Sequence, residues 1–151
     1  MTTALEVGGT RVIGQVSADP IRIDDLLRAG SMADGAVTVF AGRVRDHNHG
    51  RPVLRLHYEA YEEMAERELA SILDETANRW TLSHLEAVHR TGTLELGEIS
   101  VAIVVAAPHR ATAYEASRHV IEEIKKRLPI WKREEYADGQ LEWVRSTSPD
   151  A

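Results

Sequence analysis

Residues 99–129 read ISVAIVVAAPHRATAYEASRHVIEEIKKRLP, and the succession of patterns inside them decides the fold. Ile99 to Ala107 is an apolar run, interrupted only by Ser100 and rich in β-branched side chains. At this length it reads as an interior strand covered on both faces, near the centre of its sheet. Pro108, His109 and Arg110 interrupt it. From about Ala111 to Leu128, Ser117, Val120, Ile121, Ile124 and Leu128 recur at helical spacing, which predicts an amphipathic helix. Pro129 ends that helix, because a proline drives the residue before it out of the helical region.

The same signals extend outward. Ala36 to Ala41, AVTVFA, lies between Gly35 and Gly42 and reads as a buried strand; 10–16, 53–59 and 84–90 read as further strands. Asp24 to Arg28 is a short helix closed by Gly30. Ala65, Leu69, Ile72, Leu73, Thr76 and Trp80 mark a second long helix over Tyr61 to Trp80. Residues 43–52 read as a loop and Gly92 to Gly97 as a turn, and 130–136 with 141–145 form a hairpin across Asp138-Gly139. Several of these connections are too short for helical crossovers. The pattern therefore predicts an α+β fold, with a mixed, largely antiparallel sheet and two main helices, over a doubly wound one. One domain is expected over 1–145, followed by a short polar tail at 146–151.

Composition narrows the function classes. The 151 residues are 43% hydrophobic and 28% charged, an ordinary globular balance. The absence of cysteine excludes disulfides, thiolate metal sites and a cysteine nucleophile. No basic segment followed by an apolar one opens the chain, and no run approaches the ~20 residues of a spanning helix, so a soluble, cytoplasmic protein with no membrane partner is expected.

The net charge of −6 is unevenly placed. Residues 43–51, RVRDHNHGR, carry +2 and residues 125–133, KKRLPIWKR, carry +5, leaving −13 on the other 133 residues. An acidic chain with two short basic segments is not built for nucleic acid, which favours a basic face; it suggests a local anion site. The second segment also reads as a helix C-terminus whose cations complement the helix dipole.

Three segments could carry chemistry. In the first, Arg43 and Arg45 follow a strand and present planar forks suited to phosphate or carboxylate. His47 and His49 beside them lack a visible third ligand, so no metal is expected. In the second, His109 and Arg110 stand where a strand feeds a helix N-terminus, a place for an anion, or simply for a capping or solvent-facing histidine. In the third, Lys125 follows an inward-facing Ile124, and Lys132 lies beyond the proline break next to Trp131. Two lysines brought together there would lower one another's pKa towards a useful acid–base range, whereas two solvated lysines would do nothing.

Taken together and in this order, FAGRVRDHNHG, APHRATAYEA and KKRLPIWKRE resemble the large, catalytic subunits of molybdopterin synthase, over roughly residues 10 to 145. The resemblance implies an α+β fold with a hammerhead-type β motif. It also implies a sulfurtransferase that converts cyclic pyranopterin monophosphate (precursor Z) to the dithiolene molybdopterin. Sulfur would come from the thiocarboxylated C-terminal Gly-Gly of a small ubiquitin-like partner, in a heterotetramer built on a central dimer of this chain. Carried over by motif, Lys125 and Lys132 are the catalytic pair, with Lys125 preferred to Lys126 for its seven-residue spacing to Lys132. Arg45, His109 and Arg110, with Arg43, would hold the substrate phosphate, and no cofactor is implied. A chain without cysteine cannot carry the sulfur itself, which agrees with an external donor. The competing reading is a non-catalytic anion- or nucleotide-binding module using the same arginines.

Overall fold

The computed structural model describes residues 2–144; Arg145 and the expected tail at 146–151 lie outside the described residues. Ten strands and three helices follow in the order β1 (Thr2–Val7), β2 (Thr10–Ser17), α1 (Ile23–Leu26), β3 (Ala36–Arg43), β4 (His47–Asn48), β5 (Arg51–Ala60) and α2 (Glu62–Arg79). They continue with β6 (His84–Arg90), β7 (Gly92–Glu95), β8 (Ile99–Ala107), α3 (Arg110–Arg127), β9 (Ile130–Tyr136) and β10 (Leu141–Val144).

The strands form two sheets. The first has the order β1-β2-β6-β8-β3, and the second β10-β9-β5-β4, with β7 also paired to β5. Every pairing is antiparallel except β2 with β6, whose connection is long and includes α2. This is the α+β, largely antiparallel arrangement with two main helices that the short connections imply. The strand β8 is interior, between β6 and β3, and Ser100 to Ala107 are all buried. Its lack of alternation follows from cover on both sides. The long helices pack on one face, and Leu26 of α1 closes over Ala102 and Val104 on the other.

The helices bury the faces their spacing marks. Leu69, Ile72 and Leu73 of α2 and Val120 of α3 are fully enclosed, each contributing roughly 1.5–3 kcal/mol of transfer free energy. Arg127 bridges the two helices, with Nε 2.7 Å from Glu68 Oε1 and Nη1 2.6 Å from Glu75 Oε2. No helix among the described residues is long and apolar enough to cross a membrane.

Three segments differ from the sequence expectation. Residues 2–7, too polar to stand out, pair with β2 as an edge strand. The expected turn at Gly92–Gly97 is a strand over Gly92–Glu95, because Leu94 packs inward and pairs with Leu56. The expected loop 43–52 contains β4, closed onto β5 through a tight turn in which His49 (φ +48) and Gly50 (φ +76) both take left-handed backbone.

Candidate active site

A pocket opens where the two sheets and the end of α3 meet. The C-terminal end of β3 gives Phe40 and Gly42, the start of β8 gives Ser100 and Val101, and β5 gives Tyr58. The last turn of α3 brings Lys125, and β9 brings Lys132 and Glu134. Pro129 turns the chain from helix to strand, so two lysines seven residues apart reach one cavity from different elements. On β9, burial alternates, and Lys132 is inward and only 5% exposed while Trp131 and Arg133 flank it on the other face.

The two lysines differ electrostatically. Burial, reinforced by the charge of Lys132, pushes the Lys125 amine down to about 8. Burial also lowers Lys132, and so does Arg45, but Glu134 opposes them from 3.8 Å. Among the described residues no carboxylate stands within ion-pair distance of Lys125. One amine is thus available as a proton acceptor near neutral pH, beside a second whose charge a carboxylate neighbour favours against burial.

Glu134 belongs to a buried polar network. Asn48 Nδ2 donates to both of its oxygens at 2.9 and 3.2 Å, and the Tyr136 hydroxyl donates to Oε2 at 2.5 Å. On the other wall, the hydroxyls of Tyr58 and Ser100 are hydrogen-bonded, and Ser100 donates to the Gly42 carbonyl at 3.3 Å. Behind Tyr58 stands His89, buried and edge-on to the phenol ring, with burial pushing its imidazole down to about 4.

Arg43, Arg45 and His47 form the mouth and also line an adjoining depression with Leu96 and Gly97. Arg43 is held there by a hydrogen bond from Nε to the Gly97 carbonyl at 3.1 Å. His47 pairs with Asp46 at 2.7 Å, whereas His49 occupies the turn. Lys126 points outward and pairs with Glu123 at 3.6 Å.

The structure therefore gathers Lys125, Lys132, Arg45 and Arg43 into one site. It does not bring His109 and Arg110 there within one chain. Those two residues are exposed and line a separate depression with Gly35 and Pro108, at the opposite end of β3 and β8. The six residues of strand between the pairs Gly42–Val101 and Ala36–Ala107 span roughly 20 Å. Sequence reasoning passed over Glu134, although its place two residues after Lys132 on a strand puts both on one face. The burial of Asn48 had no signal in a run of polar residues.

Comparison with known proteins adds four findings. Residues 16–127 match the family model described as MoaE protein. The molybdopterin synthase catalytic subunit of Halalkalibacterium halodurans is 47% identical over 110 residues, covering 73% of this chain and 70% of that protein. The crystal structure of molybdopterin synthase from Staphylococcus aureus superposes with a TM-score of 0.79 at 39% identity, covering 85% of this chain and 94% of that one. A complex of subunits 1 and 2 of molybdopterin-converting factor from Helicobacter pylori shares the fold, with a TM-score of 0.70 at 20% identity over 91% of this chain and 92% of that one.

Proposed function

Since this chain belongs to the MoaE family, whose relatives include molybdopterin synthase catalytic subunits, we propose that the Lys125–Lys132 pocket inserts sulfur into a cyclic pyranopterin monophosphate, precursor Z, to give dithiolene molybdopterin. The observation that carries this reading is the pair of lysines made unequal by a single carboxylate, inside a pocket whose mouth is lined by arginines.

The donor is the thiocarboxylated Gly-Gly terminus of a small ubiquitin-like partner, as the resemblance implies, and a chain with no cysteine to hold sulfur agrees with an external donor. Lys125 works next to the thiocarboxylate, taking and returning protons or polarising the carbonyl as the sulfur leaves the acyl carbon. Lys132, kept cationic beside Glu134, binds the pterin intermediate and stabilises negative charge as it develops. Arg45, with Arg43, steadies the phosphate at the mouth.

His109 and Arg110 hold the phosphate from a second copy of this chain, because about 20 Å of strand separates them from their own lysines. A central dimer, with one small partner at each outer end in the cytoplasm, accommodates that arrangement.

The test is an assay of this protein with thiocarboxylated partner and precursor Z, reading dithiolene formation. Lys125→Ala and Lys132→Ala proteins fold and fail to form product; normal turnover by both overturns the assignment. Tight binding of ordinary nucleotides without dependence on any partner would favour the anion-binding module.

A further inference from the structure

Within residues 43–50, only Val44 and Asn48 are buried. Val44 is the apolar anchor of this arginine-bearing loop. Asn48, 5% exposed, is the polar one, and its amide is spent on the Glu134 carboxylate of a strand 86 residues away in sequence. Three groups compete for that carboxylate: Asn48, Tyr136 and Lys132. Asn48 and Tyr136 take it at hydrogen-bonding distances, and Lys132 Nζ stands 3.8 Å from Oε1. A direct ammonium–carboxylate hydrogen bond closes to about 2.7–2.9 Å, so Lys132 stops short of one.

We infer that Asn48 is a positioning residue: its amide holds the Glu134 carboxylate back from Lys132, so that the ammonium is presented to the pocket instead of being absorbed in a closed ion pair. The same side chain ties the Arg43–Arg45 loop to the strand that carries Lys132, so the anion-binding mouth and the lysine are set by one contact. With Asn48 truncated, Glu134 keeps the Tyr136 bond and turns its freed oxygen to Lys132. The inference rests on the assignment of Lys132 to substrate binding, but the contact itself can be tested without turnover.

The titratable groups that share the pocket with Lys132 are Glu134 from β9, hydrogen-bonded in turn by Tyr136, Tyr58 from β5, Arg43, Arg45 and His47 at the mouth, and Lys125 from α3. Burial disfavours its charge, Glu134 favours it and Arg45 disfavours it. Closing the Glu134 pair therefore raises the Lys132 titration.

The experiment follows the Lys132 side-chain resonances of carbon-labelled protein against pH in wild type, Asn48→Ala and the double variant Asn48→Ala/Glu134→Gln. Asn48→Ala is expected to move the Lys132 midpoint up by about one pH unit, and the double variant to abolish that rise. In the sulfur-transfer assay, KM for precursor Z rises about tenfold while kcat changes less than about threefold. Asn48→Ser, which retains a short donor, replaces Asn48→Ala if the latter does not fold. An unchanged Lys132 midpoint in a folded variant overturns the inference. Loss of turnover in every protein, wild type included, with the midpoint still shifted, overturns the proposed function and leaves the positioning contact standing.

Discussion

Lys125 shares its pocket with the ammonium of Lys132, and burial, reinforced by that charge, takes its amine down to about 8. Sulfur transfer that uses Lys125 as a base accordingly rises with pH through about 8 and levels above it. Lys125→Arg, whose guanidinium stays charged, loses at least about a hundredfold in single-turnover rate at every pH. A pH–rate series with quenched product analysis checks both.

The same depressed lysine weakens the fold. Between about 8 and its ordinary value of 10.5, the folded chain binds fewer protons at Lys125 than the unfolded chain does, so stability rises with pH through that window. Lys125→Met removes the desolvated cation and is expected to raise the urea midpoint at pH 7 while abolishing activity. Denaturation curves of the two proteins measure this.

Neighbouring cations on the same turn divide by direction. Lys126 is exposed on Glu123, so Lys126→Ala leaves sulfur transfer within about twofold of wild type. Arg127 is largely covered between α2 and α3, and Arg127→Ala costs about 1–3 kcal/mol in chemical denaturation with the pocket chemistry intact. Of the doublet, Lys125 faces the pocket and Lys126 faces outward.

Legibility in the sequence followed the strength of the periodic signal. The helices α2 and α3, and β8, announce themselves because long apolar patterns have one physical solution. Short β4 and β7 do not, since two or four residues carry no period and are fixed by pairing with β5. In the site, Lys125 and Lys132 were legible from a motif and a proline break. Asn48 was not, because its burial depends on a carboxylate 86 residues away. The gap between His109 and Lys125 is likewise a property of strand direction, which no local pattern records.

His89 gives the fold an acid limit. Its imidazole is 3% exposed, with Nδ1 2.8 Å from the Arg90 carbonyl, and burial takes it from 6.5 to about 4. As pH falls from about 6.5 to about 4, the unfolded chain takes up a proton that the folded chain refuses, so stability falls through that window by about 3 kcal/mol. His89→Gln flattens that part of the stability–pH curve; an unchanged slope would mean that other groups govern the acid transition.

His109 and Arg110 lie at one end of β3 and β8 and the lysines at the other, and the function proposed above has the two groups meet across different copies of the chain. Mixing Arg110→Ala with Lys132→Ala protein tests this directly. In a mixed dimer, the copy carrying Arg110→Ala keeps its own Lys132 and receives an intact Arg110 from its partner, making one complete site. Random exchange puts half the molecules in mixed dimers, each with one of two sites restored, so about a quarter of wild-type activity returns. If each copy instead used its own His109 and Arg110, every site in the mixture would carry one defect, and the activity would stay at the mean of the two single variants.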